Sequence, residues 1–113
     1  MTRKIVLVIA TAVLIAATAF AAVTNLAWDA NTEADLAGYK LYQSTVAGGP
    51  YTFVKTVSKD NLTTATADLP DGKYCWVLTA FDTVGNESGY SNEVCRTIDT
   101  FPPAAPRNFR LAP

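Results

Sequence analysis

The feature that most constrains the fold is a side-chain pattern that repeats every two residues. It occurs in short segments that are separated by turn residues. Along residues 73–81, apolar or aromatic side chains recur at every second position from Tyr74 to Ala80, which is the period of an extended strand. Turn compositions such as Pro70-Asp71-Gly72 and Val84-Gly85-Asn86 bracket this segment. Residues 73–81 are therefore predicted to form a strand.

The whole chain after residue 21 shows the same organisation. No segment keeps a helical period long enough for a helix, so an all-β fold is predicted. The expected strands are residues 23–28, 38–44, 51–58, 64–68, 73–81 and 91–98. Short, evenly spaced strands favour an antiparallel β-sandwich.

The N-terminus has the three parts of a secretory signal peptide. Arg3 and Lys4 precede an uncharged apolar run, residues 5–17, which Ala19-Phe20-Ala21 follows. A membrane span needs about 20 predominantly apolar residues, and this run is barely that long. Residues 1–21 are therefore predicted to form a signal helix that is cleaved after Ala21, with a retained anchor as the alternative. The expected location is secreted, periplasmic or on the cell surface, with no stable membrane span after cleavage.

Charge and length limit the partners and the domain count. Two of the nine Lys and Arg residues lie in the leader, which leaves seven against ten Asp and Glu residues. This mildly acidic balance argues against nucleic acid as a partner. The remaining 92 of the 113 residues fit one domain with a modest core.

The chain has two cysteines, Cys75 and Cys95, and both lie in the part predicted to be exported. If the loop between their strands is centred on Gly85, antiparallel pairing places them opposite each other, near disulfide range. A bridge closing about 20 residues would contribute roughly 3 kcal/mol. We expect a disulfide, and two buried free thiols are the alternative.

At this point residues 23–98 resemble a fibronectin type III domain of the kind found in bacterial exported proteins. The segments that carry the resemblance are VTNLAW, DLAGYKLY, LPDGKYCWVLTAFD and GNESGYSNEV. The resemblance implies an immunoglobulin-like sandwich, and it makes Tyr74, five residues after Leu69, a structural tyrosine corner. The expected core residues are Trp28, Tyr39, Leu41, Tyr74, Trp76, Leu78 and Ala80.

The resemblance also implies that residues 22–98 lack a first strand. Residues 99–113 look like a proline-rich linker followed by the first strand of another such domain, and the candidate donor residues are Asn108, Phe109, Arg110 and Leu111. An unpaired sheet edge is normally covered. A neighbouring copy could supply the strand, giving a linear polymer. The alternatives are that the tail fills its own domain, that it is disordered, or that the gene product is truncated.

Catalysis is not expected from this sequence. The chain contains no histidine, which excludes Ser-His-Asp triads and histidine metal sites. Paired carboxylates can serve glycoside hydrolysis, but that chemistry needs a cleft that holds a sugar, and so small a domain has little material for one. We predict that the protein is not an enzyme and needs no cofactor.

Calcium is the one metal for which ligands can be named. The candidate oxygen donors are Asp29, Asn31, Glu33, Asp35, Asp82 and Asn86, and calcium takes six to eight such ligands. The alternative is that these residues bond local backbone in turns.

These observations favour a non-catalytic structural or adhesion module that is secreted or on the cell surface and assembles head-to-tail by strand donation. Its partner would be another copy of itself or another extracellular protein. The alternative function is a carbohydrate-binding or protein-binding accessory domain.

Overall fold

Eight strands and no helix occur in residues 21–113, the part of the chain that the computed structural model describes. They are β1 Ala21–Ala22, β2 Asn25–Ala27, β3 Leu36–Ser44, β4 Thr52–Ser58, β5 Thr63–Ala65, β6 Leu69–Pro70, β7 Gly72–Asp82 and β8 Val94–Ile98. Except for Ala21, the predicted signal peptide lies outside the described residues. Within residues 21–113 no helix is long and apolar enough to cross a membrane.

The strands form an antiparallel sandwich. One layer is a four-stranded sheet in the order β4-β3-β7-β8, and the other consists of the pairs β2-β5 and β1-β6. Leu41, Trp76 and Ile98 of the large sheet form the buried core, against which Leu26 and Leu69 of the small layer pack. This arrangement confirms the predicted immunoglobulin-like fold.

The predicted register of the last hairpin is observed. Cys75 of β7 stands opposite Cys95 of β8, and the two are joined by a disulfide. The Tyr74 hydroxyl donates a 2.8 Å hydrogen bond to the Pro70 carbonyl, which is the contact expected of a tyrosine corner.

Three predicted strands are clearly shorter than expected. Residues 23–28 reduce to Asn25–Ala27, and in the other two, residues 64–68 and 91–98, side chains replace backbone partners. Before β8, the Leu78 amide donates to the Ser91 hydroxyl and the Ala80 amide to the Ser88 hydroxyl, both at 2.9 Å. The expected strand 91–98 therefore begins at Val94. In the segment expected at 64–68, the Thr66 hydroxyl accepts the Thr24 amide at 3.0 Å, and β5 ends at Ala65. The next strand, β6, begins at Leu69, beyond the predicted segment.

The expected core residues divide into two groups. Tyr39, Leu41, Tyr74 and Trp76 are buried, whereas Trp28, Leu78 and Ala80 are only partly buried. Trp28 and Leu78 line an open groove between the two layers.

Candidate strand-accepting groove

The outer edge of β2 has no strand beside it among residues 21–113. The Thr24 carbonyl accepts the Thr66 amide at 2.9 Å, and the Trp28 amide donates to the Leu62 carbonyl at 3.1 Å. In an antiparallel ladder, alternate residues bond to the same neighbour, so the N–H and C=O groups of Asn25 and Ala27 point away from β5. These groups form an open edge to which a further strand can bond.

An apolar groove lies beneath this edge, between β2 and the β7-β8 side of the large sheet. Its principal lining residues are Leu26, Trp28, Leu41, Trp76, Leu78 and Val94. Val94 is 44% exposed although its register partner Trp76 is buried. The groove therefore exposes part of the core, a surface that soluble domains normally cover.

Arg96 bridges the two layers beside the segment that precedes β2. Its guanidinium donates to the Val23 carbonyl at 3.0 Å and to the Thr24 hydroxyl at 2.8 Å. These bonds join β8 to the segment before β2, so the two layers are held together there although no ladder connects them.

Trp28 lies in the wall of the groove, where its ring meets Tyr39 edge-to-face at a centroid distance of 5.3 Å. Its indole N–H is buried and has no hydrogen-bond partner in the described part of the chain. Buried donors are nearly always bonded, so the groove wall contains a donor that lacks its usual hydrogen bond.

Different chain segments meet at the two ends of the sandwich. Ile98 pairs with Gly72, and Ala22 with Leu69, so the last strand ends where the first begins; we call this end the tail pole. At the opposite end, the loop pole, residues 28–35 meet residues 82–87, where the Thr83 amide donates to the Asp35 carbonyl at 3.0 Å.

The C-terminal tail, residues 99–113, starts at the tail pole. The Thr100 amide and hydroxyl both donate to the Asp71 carboxylate, at 3.1 and 2.7 Å. Beyond this anchor the side chains of residues 101–113 are exposed, with Phe109 at 97% and Leu111 at 96%. The tail does not occupy the groove of its own domain.

The residues proposed as calcium ligands make the hydrogen bonds of turns. The Asp82 carboxylate accepts from the Asn86 side chain at 3.0 Å and from the Asn86 amide at 2.8 Å, and these bonds lower the pKa of Asp82. Asn31 donates to Glu33 at 2.9 Å. Within residues 21–113, no three carboxylates of the proposed set approach one another closely enough to share an ion. This geometry gives the calcium hypothesis no support.

A second surface, which the sequence did not predict, lies on the outer face of the large sheet. We call it the aromatic ribbon, and it consists of Tyr42, Tyr51, Phe53 and Tyr90. Successive ring centroids are 5.7 Å apart for Phe53 and Tyr42, 5.4 Å for Tyr42 and Tyr90, and 5.0 Å for Tyr90 and Tyr51. The sequence signals were the period of two in β3, which places Tyr42 on the outer face, and the spacing of Tyr51 and Phe53, two positions apart at the start of β4.

Two carboxylates hold two of the three ribbon tyrosines. The Tyr42 hydroxyl donates to Glu87, and the Tyr51 hydroxyl donates to Glu93. Each bond lowers the pKa of the glutamate and raises the pKa of the tyrosine, so at neutral pH the glutamates are ionised acceptors and the tyrosines neutral donors. Lys40 lies 3.6 Å from Glu87.

The sandwich and its open groove define an immunoglobulin-like β-module. Among solved structures, the chain is similar to an Fn3-like protein from Clostridium thermocellum, with 30% identity and a TM-score of 0.54 over 65% of this chain and 73% of that one. The chain belongs to the fibronectin type III family.

Two further structures share the fold. A chicken structure of CNTN1 domains FN1–FN3 is 20% identical, with a TM-score of 0.56 over 68% of this chain and 30% of that one. The fibronectin type III domain of human KIAA0970 protein is 19% identical, with a TM-score of 0.59 over 82% of this chain and 75% of that one. No protein-family model and no curated protein matches the sequence.

Proposed function

We propose that the protein is an exported, non-catalytic module that assembles head-to-tail, each copy accepting a β-strand from the C-terminal tail of the next. Membership of the fibronectin type III family supports a structural or binding role. The observation that carries the proposal is that one chain holds both an open apolar groove and an exposed apolar tail.

The tail has the pattern of a strand with one apolar face. In an extended segment, Phe109 and Leu111 lie on one side and Asn108 and Arg110 on the other. If the tail lay along β2 as a strand, Phe109 and Leu111 would enter the groove. The backbone of the tail would then bond to the open N–H and C=O groups of Asn25 and Ala27. Backbone pairing with side-chain pockets is the usual mode of β-augmentation.

The direction of the chain favours donation between copies. β2 runs from the tail pole to the loop pole, and the tail leaves from the tail pole. A tail that entered a neighbour at its loop pole would run antiparallel to that neighbour's β2 without reversing. Within its own domain the tail could lie antiparallel to β2 only after it had reached the loop pole and turned back.

Such a contact joins different surfaces of two copies. It is heterologous, and heterologous contacts that do not close on themselves generate linear polymers. The eight residues from Thr100 to Arg107 extend at most about 26–29 Å, which sets an upper limit on the gap between an anchored tail and the next groove.

Export is the part of the proposal that involves the N-terminal segment. A leader over residues 1–21 that is removed after Ala21 would leave the open edge of β2 close to the new N-terminus. The disulfide between Cys75 and Cys95 supports an oxidising destination.

The test compares the full-length protein, expressed with its own leader and purified from the exported fraction, with a variant that lacks residues 99–113. Sedimentation velocity and negative-stain electron microscopy should show polymers of the first and monomers of the second. A synthetic peptide of residues 99–113 in excess should shorten the polymers by filling grooves. A full-length protein that stays monomeric, with the same unfolding free energy as the deletion variant, would show that the tail donates no strand.

A further inference from the structure

We infer that the aromatic ribbon is a binding surface for a neutral polysaccharide. The ribbon lies on the outer face of the large sheet, whereas the groove lies between the two layers. The inference therefore goes beyond strand donation and does not depend on it.

The ribbon presents aromatic rings that are both exposed and held in place. Phe53 is 51% and Tyr90 56% exposed, and each meets the central ring of Tyr42 nearly edge-on, at interplanar angles of 69° and 68°. Rings fixed in this way need little further ordering on binding. The apolar C–H faces of pyranose rings can pack against such aromatic surfaces.

Packing of the sheet accounts for only part of the ribbon. Tyr42 is the register partner of the buried Val77 and is itself partly buried, so it has a structural reason to be aromatic. Phe53 and Tyr90 have more than half of their surface in solvent. Their exposure is unexplained by the fold and points to a ligand.

Polar groups stand beside the rings in a shallow depression. Between Tyr42 and Tyr90 the surface is lined by Thr79, Glu87 and Ser88. A carboxylate oxygen and hydroxyl groups next to an aromatic wall suit a ligand that carries hydroxyl groups around an apolar ring face. These groups are already bonded within the chain, since Thr79 donates to Glu87 at 2.7 Å and the Ser88 hydroxyl donates to the Gly89 carbonyl at 2.9 Å. They are thus held in place beside the rings, where their remaining acceptor capacity can serve ligand hydroxyl groups.

The charge of the ribbon decides between a neutral and a cationic ligand. Glu87 lies 3.6 Å from Lys40, and the positive charge of Lys73 acts on Glu93. Glu87 thus has a neighbouring ammonium group, and Glu93 has a positive charge beyond ion-pair distance, so little excess negative charge is left to attract a cation. A neutral polysaccharide fits this balance better than a basic peptide does.

The test is affinity electrophoresis of the full-length protein and of the variant lacking residues 99–113. The native gels would contain one soluble neutral polysaccharide each: a β-glucan, a xylan, a mannan or dextran. At least one should retard both proteins equally. Phe53→Ala and Tyr90→Ala should each weaken binding about tenfold, as expected for a central aromatic contact.

Val84→Ala is the matched control, because Val84 is an apolar residue 80% exposed on the 82–86 turn. It should bind like the unmodified protein, and Tyr90→Phe should retain most of the affinity because the ring remains. Near-ultraviolet circular dichroism checks folding; if Tyr90→Ala is misfolded, Phe53→Ala and Tyr90→Phe decide.

Two results would overturn the inference. They are no retardation by any of the polysaccharides, and equal retardation of Phe53→Ala and the unmodified protein. Neither of them bears on strand donation, since binding is measured with and without the tail.

Discussion

Replacing Phe109 by Ala should weaken assembly without weakening the domain. Phe109 is 97% exposed in the single copy, so its full area is available for burial in the groove of a neighbour. Burying a large apolar side chain contributes about 1.5–3 kcal/mol. A loss of about 2 kcal/mol raises the dissociation constant between copies roughly 30-fold, and loss of Leu111 as well raises it about a thousandfold.

The assay is sedimentation velocity over a range of protein concentrations, with urea unfolding of a tail-deleted protein as the stability reference. Asn108→Ala is the matched control, because Asn108 would lie on the opposite side of the donated strand. The reasoning is refuted if Phe109→Ala and Asn108→Ala change the association equally, since the groove would then not distinguish the two faces of the tail.

Three further predictions concern the domain itself. Replacing both Cys75 and Cys95 by Ala should lower the free energy of urea unfolding by about 3 kcal/mol, because the disulfide closes a loop of 20 residues; an unchanged midpoint would contradict this. Tyr74→Phe should cost about 1 kcal/mol in the same assay through loss of the corner hydrogen bond, and no loss would mean that the bond is not stabilising. The Tyr51 hydroxyl lowers the pKa of Glu93 below its usual 4.5, so this interaction stabilises the fold above that pH and is lost as the pH falls through the lowered pKa. The difference in unfolding free energy between the unmodified protein and Glu93→Gln should therefore shrink on acidification, and a difference independent of pH would contradict the assignment.

The large sheet was predictable because its side chains have a period of two and turn residues bound its segments. Once the turn around Gly85 was placed, the pairing of Cys75 with Cys95 followed, since a slip of one residue would turn every side chain to the other face. The burial of Trp76 follows from the same pattern.

The aromatic ribbon was not predictable in the same way. Tyr42, Phe53 and Tyr90 come from separate segments and meet only when β3 and β4 pair and the chain before β8 folds over the sheet. The alternation of side chains along β3 predicts that Tyr42 lies on the outer face. It does not predict which aromatic rings from distant segments contact Tyr42 there. Likewise, the serine hydroxyls that delay the start of β8 act through contacts that no local propensity contains.

In the proposed assembly the destination of the tail depends on a second molecule, so a single chain's pattern shows only that Phe109 and Leu111 suit one face of a strand. What the structure adds is a candidate acceptor, because it shows which backbone groups of β2 are open and that the groove beneath them is apolar.

Hydrogen exchange at the open edge tests strand donation most directly. The amides of Asn25 and Ala27 should be protected in the assembled full-length protein and should exchange rapidly in the variant that lacks residues 99–113. The Trp28 amide donates to the Leu62 carbonyl within the domain, so it serves as the internal reference in both proteins. Equal, rapid exchange of Asn25 and Ala27 in both proteins would contradict strand donation.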